Sequence, residues 1–225
     1  MVSIEAVLFD LHGSLGYVEN PLKEDEIPEC LTSKGYEVSP QSLWAARMFV
    51  SFIDYPKYGY SSWSSYLSRI LWRLGIKIDK ETLQEAVTLL EQREVYKLYP
   101  DAAEAVAKAE EAEFKTAVVT TIAHFMFQKA IEPIKKHLDF IMTGFEAGVA
   151  KSNPTMYKKV LQILQVSTDQ AVMIGDNPSI DVLLPKRLGM KAILLDRENS
   201  GEECEDANAI VNDLNEALKV VAAWR

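Results

Sequence analysis

Short apolar runs alternate with amphipathic stretches along most of this chain, and that alternation sets the expected fold. Val2–Phe9, Thr116–Val119, Phe140–Met142, Ala171–Ile174 and Lys191–Leu195 are rich in Val, Ile and Leu without strict in–out alternation. Runs of this kind read as strands covered on both faces, the habit of a parallel sheet. Helical stretches lie between them. Pro100-Asp101 opens one, with Glu104 placed to complete a capping pair. Asn153 followed by Pro154 is a cap with proline at the first helical position. Behind it Tyr157, Val160, Leu161 and Leu164 recur at helical spacing and form one apolar face. A last helix is expected over Asp213–Ala223. The alternation predicts an α/β fold with a doubly wound, Rossmann-like parallel sheet.

The stretch from Gly16 to Lys97 breaks the alternation. Trp63, Tyr66, Leu67, Ile70, Leu71 and Leu74 make a helical stripe that Gly75 ends, and Leu83, Ala86, Val87 and Leu90 make another. A third helix is expected over Ser42–Ile53, stopping before Pro56. The expected organisation is a core domain of residues 1–15 and 98–225 with a helical cap domain, 16–97, inserted after the first strand. An insertion there sits over the carboxyl ends of the strands, where open α/β sheets bind ligands.

Composition narrows the class of function. A chain of 225 residues can bury a full core without disulfides or structural metal. Its net charge of -9 repels nucleic-acid backbones and anionic membranes, so neither is an expected partner. The same charge is compatible with an anionic substrate if a divalent cation reverses the local field. Cys30 and Cys204 follow no pairing pattern, which suggests ordinary thiols in a reducing cytoplasm. No apolar run approaches the ~18 residues that span a bilayer, and the N-terminal stretch is too short and acidic for a signal peptide.

Three of the expected strands end in residues suited to chemistry: Asp10, Thr120 and the pair Gly175-Asp176. In a parallel sheet these ends converge on one edge. Single residues of these types are commonly turn formers or local hydrogen-bonders. Two converging carboxylates repel unless a cation sits between them, and magnesium, which takes oxygen ligands and few protein carboxylates, is the expected ion.

The letters around these residues carry a family likeness. Val7-Leu8-Phe9-Asp10-Leu11-His12-Gly13-Ser14-Leu15 resembles the first motif of the haloacid dehalogenase-like hydrolases, hhhDxDG(T/S)L. Val118-Val119-Thr120 is similar to the second motif, and Gly148-Val149-Ala150-Lys151 with Asn153-Pro154 to the third. Ile174-Gly175-Asp176-Asn177-Pro178-Ser179-Ile180-Asp181 resembles the fourth, GDxxxxD, and the helical insert resembles the family's C1-type cap.

The resemblance implies a Mg2+-dependent phosphohydrolase acting on a small phosphorylated metabolite through an aspartyl-phosphate. Asp10 is then the nucleophile, and Thr120 and Lys151 hold the phosphate. The metal lies among Asp10, the backbone carbonyl of His12 and Asp176, with Asp181 as an outer ligand or water-orienting group. Asp181 is equally suited to a helix N-cap.

His12 departs from the pattern, since phosphatases of the family usually carry a second aspartate there as acid and base. Histidine exchanges protons near neutrality, so it is expected to take over that step; the alternative is a residue that only packs in the loop of a weakened, binding or regulatory protein. Thr121 and Ser152 replace an asparagine and a proline common in the family, and Pro185 is expected to shorten or kink the helix after Asp181. A 2-haloacid dehalogenase is the rival hydrolase, and the Asp176 carboxylate speaks against it. His124 and His137 lack a partner at metal-ligand spacing and read as structural. Cap aromatics (Trp44, Phe49, Tyr55, Tyr58, Tyr60, Trp63, Trp72) are candidates for a specificity pocket or for the cap core, with Tyr55–Tyr60 the best placed for a pocket. The pattern sets no oligomeric state, because an aromatic cap surface serves a dimer as readily as a pocket.

Overall fold

All five apolar runs supply strands of one sheet in the computed structural model, which describes residues 2–201 and 203–224. The strands in chain order are β1 (Ala6–Phe9), β2 (Gly16–Val18), β3 (Tyr96–Leu98), β4 (Lys115–Val119), β5 (Phe140–Met142), β6 (Ala171–Gly175), β7 (Lys191–Leu195) and β8 (Ala209–Val211). Six of them form a sheet ordered β5-β4-β1-β6-β7-β8, and every pairing in it is parallel. The order departs from β1 in both directions, to β4 on one side and β6 on the other. That switch point opens a crevice at the carboxyl end of β1.

The lack of in–out alternation has its cause in the layers. Val7 and Phe9 of β1 face a core shared with the helices Ala102–Glu111 and Leu214–Ala222. Ala6 and Leu8 face the opposite core, closed by the helix Pro154–Leu164 through Tyr157, Val160, Leu161 and Leu164. Each side chain of β1 is fully buried, as both faces require. The first expected run is longer than the strand it yields, because Val2 is exposed and the ladder begins at Ala6. β8 is the edge strand the pattern missed; three residues with Ile210 exposed leave little apolar signal.

Residues 16–97 carry five helices, Glu26–Thr32, Pro40–Phe49, Tyr55–Tyr58, Trp63–Arg73 and Lys80–Arg93. They build a hydrophobic cluster of their own, in which Leu31, Val50, Leu67, Leu71, Ala86 and Leu90 are buried. The chain leaves and re-enters the sheet through a short antiparallel pair, β2 with β3, too brief to show a period. Gly16 is required in it, since a Cβ there would stand 2.7 Å from the Lys97 carbonyl oxygen.

Two expectations about helix ends need correction. The helix expected over Ser42–Ile53 does not stop ahead of Pro56. Pro40–Phe49 passes into a wider π turn, Val50–Asp54, and on into Tyr55–Tyr58, whose first turn holds the proline where a missing N–H costs nothing. Pro185 is accommodated the same way, in the first turn of Leu184–Arg187 directly after a π turn over Pro178–Leu183, so the helix beyond Asp181 runs through the proline with a wider turn ahead of it. The other correction is Asp101, which makes no capping bond with its own helix. Its carboxylate instead accepts from Arg197 at 3.0 and 3.2 Å and from the Leu214 amide at 2.9 Å, tying two distant helices together. Asn153 caps as expected, accepting from the Thr155 amide at 2.9 Å.

Candidate active site

Parallel pairing carries Asp10, Thr120 and Asp176 to one edge, one residue beyond β1, β4 and β6. The ladder continues past the strands to fix them: the Asp10 amide donates to the Ile174 carbonyl, and the Thr120 amide to that of Met142, each at 2.9 Å. Lys151 arrives from the loop before the Pro154–Leu164 helix. Its Nζ contacts Asp10 Oδ1 and lies 2.7 Å from Asp181 Oδ1. All three side chains are buried, with Lys151 5% and Asp181 1% exposed, so the ion pairs are shielded from water.

The lysine is held from both ends. Its amide donates to the Thr121 hydroxyl at 2.9 Å, which gives a role to the residue that departs from the family's asparagine. The second oxygen of Asp181 accepts from the Asn177 amide at 3.1 Å. Asp181 is not the helix N-cap; Asn177 is, accepting from the amides of Ser179 and Ile180 at 3.0 Å each. A Cβ on Gly175 would overlap the Asp181 carboxyl group, so glycine before Asp176 is what lets Asp181 reach the lysine.

Electrostatics show a site that wants one more positive charge. Burial raises the Asp10 carboxyl to about 7, Lys151 opposes the rise, and the carboxylates of Asp181 and Asp176 add to it. Asp176 is also raised, by burial first and Asp181 second. Burial pulls Lys151 down, but Asp10 and Asp181 outweigh it and leave its pKa raised. One lysine therefore does not compensate three carboxylates. Oxygens of Asp10, Asp176 and Asp181 lie within 4.8 Å of one another, a spacing that fits a hard divalent cation. Asp176 is the exposed member, and the loop after Asp10 is pressed against it. A Cβ on Gly13, which has φ +86°, would strike the Asp176 carboxylate. The residues present fit magnesium.

Thr120 is 2% exposed, and its hydroxyl accepts from the Ile122 amide at 3.2 Å, leaving its proton to donate. His12 is exposed, not packed into its loop. Its Nδ1 is 3.2 Å from the Tyr96 hydroxyl, and the two rings meet edge to face at 5.8 Å. It lines a cavity of about 390 Å³ that reaches from the strand ends into the helical insert.

Sequence reasoning missed Tyr96, Arg47 and Glu94 on that cavity wall. Tyr96 sits on a three-residue strand, and Arg47 is a single charge on the helix Pro40–Phe49, so neither carries a pattern. Of the aromatics in the insert, Tyr55 lines the cavity, Trp63 is buried in the helical cluster, and Trp44, Phe49, Tyr58 and Trp72 are exposed. Tyr55, Tyr58 and Tyr60 line a neighbouring hollow with Phe145. His137 pairs with Glu110 at 2.6 Å and His124 packs on Phe127, and neither belongs to the cluster of Asp10, Asp176 and Asp181.

A family profile described as haloacid dehalogenase-like hydrolase matches residues 4–189. The chain belongs to the haloacid dehalogenase-like hydrolases. As a member of that family it is a hydrolase, and the match takes in β1, β4 and β6 and every residue of the cluster. It is 28% identical over 136 residues to a phosphoserine phosphatase of Thermus thermophilus, covering 59% of this chain and 55% of that one. The match thus spans about half the length of that relative. It is 24% identical to a glyceraldehyde 3-phosphate phosphatase of Methanopyrus kandleri, over 86% of this chain and 84% of the other. The fold is that of a 2-haloacid dehalogenase from Pseudomonas syringae pv. tomato, with a TM-score of 0.72, 18% identity and all of both chains covered. Among the described residues no helix is long and apolar enough to cross a membrane.

Proposed function

We propose that this hydrolase is a magnesium-dependent phosphatase of small phosphorylated metabolites, with residues 16–97 acting as a cap over a core of 1–15 and 98–225. The observation that carries the reading is the trio of carboxylates around one buried lysine at the strand ends. Phosphatases among the relatives support it. The free thiols of Cys30 and Cys204 suit a cytoplasmic protein.

Asp10, Asp176 and the backbone carbonyl of His12 would hold Mg2+, which supplies charge neutralisation for the phosphoryl oxygens and the nucleophile. Asp181 serves chiefly to position Lys151, because both its oxygens are taken by the lysine and the Asn177 amide. An oxygen of Asp10 attacks phosphorus, the bond to the leaving oxygen breaks, and an aspartyl-phosphate forms. Lys151 and the Thr120 hydroxyl hold phosphoryl oxygens through the step. His12, oriented by Tyr96, gives its proton to the leaving alcohol and takes one from the water that then attacks the acyl phosphate at phosphorus. Inorganic phosphate leaves and Asp10 is regenerated.

A dehalogenase would use the same aspartate, and the shared fold is compatible with it. Asp176 favours the phosphatase, since a carboxylate aimed at the nucleophile hinders attack by Asp10 unless a cation intervenes. Phosphate release from a panel of esters, with and without Mg2+, tests the proposal in wild type and Asp10→Asn. The expected result is metal-dependent release that Asp10→Asn abolishes; equal, slow release by both proteins under every condition would refute it.

A further inference from the structure

The cavity beside His12 has a chemistry of its own. Its wall is largely apolar, formed by Val18, Leu22, Met48, Phe52, Ile122 and Met126. Each hydrogen-bonding side chain that the wall presents makes at least one bond within the protein. Ser51 and Tyr66 bond to each other at 2.6 Å, Tyr55 donates to Thr143 at 3.0 Å, and Tyr96 is joined to His12. Thr121 accepts from the Lys151 amide. The guanidinium of Arg47 grips Glu94 in a fork, at 3.1 and 3.4 Å, and Glu94 is only 8% exposed. A bidentate pair of this kind presents no net charge to a ligand. A carboxylate or second phosphate entering the cavity would meet an arginine already paired and a buried carboxylate behind it.

Resting on the phosphatase reading, we propose that this cavity receives the leaving alcohol and selects one with an uncharged, apolar body, aliphatic or aromatic. The Arg47–Glu94 pair is the specificity element that turns away esters carrying a second anionic group. The helix Pro40–Phe49 and the π turn after it present Arg47, Met48, Ser51 and Phe52 to the cavity together, because i, i+1, i+4 and i+5 share one helical face. Volume is consistent with the role, since about 390 Å³ lies in the range that accepts small organic ligands. Phosphoserine, with its carboxylate and ammonium, is a poor match for such a wall.

Benzyl phosphate and its para-carboxylate share a leaving oxygen and differ in one remote charge, so comparing them isolates the cavity from the chemistry. Wild-type protein with Mg2+ is expected to favour benzyl phosphate by at least about tenfold in kcat/KM. Glu94→Gln frees Arg47 and should narrow the gap to about threefold or less, by raising kcat/KM for the carboxylate ester. Equal rates or a preference for the carboxylate in wild type would overturn the inference, whether or not the variant folds. If neither ester turns over, the ester panel with and without Mg2+ decides the phosphatase reading separately. Calorimetric binding of benzyl alcohol against its para-carboxylate then still decides the cavity: tighter binding of the alcohol upholds the inference, and equal or weaker binding overturns it.

Discussion

Replacing Lys151 by methionine removes a buried charge while keeping most of the side chain's length and its apolar stem. In the native protein Nζ touches Asp10 and lies 2.7 Å from Asp181, and all three groups are buried. Taking away one partner of a buried ion pair strands the other, at a cost of about 3–5 kcal/mol. The loss depends on pH in a definite direction. The Asp10 carboxyl stands at about 7 in the native state against 3.8 ordinarily, so the folded protein binds that proton more tightly than the unfolded chain. A group of this kind adds stability that is complete below 3.8 and is lost as pH rises through about 7. Lys151 is what opposes the rise, and without it Asp10 moves higher still. The lysine's own raised pKa keeps its contribution constant over this range. Urea unfolding of metal-free Lys151→Met should therefore show a deficit of about 3–5 kcal/mol near pH 8 that shrinks by about pH 5.5, where protonation of the carboxyls replaces the missing charge. A deficit below about 1 kcal/mol near pH 8, or one that grows on acidification, would refute the reasoning.

The linkage at Asp10 also predicts that Mg2+ raises the melting temperature more near pH 8 than near pH 5.5, readable by differential scanning fluorimetry; equal shifts would count against a metal site containing Asp10. His12→Gln is expected to lower kcat by about 10²–10⁴-fold with little change in KM, and steady-state kinetics at neutral pH will show whether it does. Gly13→Ala sets a methyl group against the Asp176 carboxylate at a positive φ, so Mg2+ affinity by calorimetry should fall while the circular dichroism spectrum is kept.

The sheet was legible in the sequence because β1, β4, β6 and β7 are buried on both faces, and a short unbroken run of Val, Ile and Leu suits such a strand better than a surface helix or a loop. β2, β3 and β8 were not; each has three residues, as β5 does, but none carries three bulky apolar side chains in a row like Phe140, Ile141 and Met142. The helix ends at Pro56 and Asp101 went astray for a shared reason. Each residue is governed by something distant or irregular, a π turn in one case and Arg197 in the other, where local rules assume a regular helix. Asp10, Thr120 and Asp176 were placed by strand-end logic, and Lys151 and Asp181 by the family likeness. The ion pair between Lys151 and Asp181 was not foreseen, because it joins two loops across the site and depends on the bare backbone of Gly175. Arg47 and Glu94 lie 47 residues apart and meet only when the insert folds, so no local pattern marks them.

The central claim is that Asp10 carries the phosphoryl group. Acid-quenching the protein during turnover of a phosphate ester with Mg2+, followed by peptide mass spectrometry, tests it most directly. The account predicts one phosphoryl group on the peptide containing Asp10, absent in Asp10→Asn and absent without ester. Turnover with the label on another residue, or equal turnover by Asp10→Asn, would contradict it.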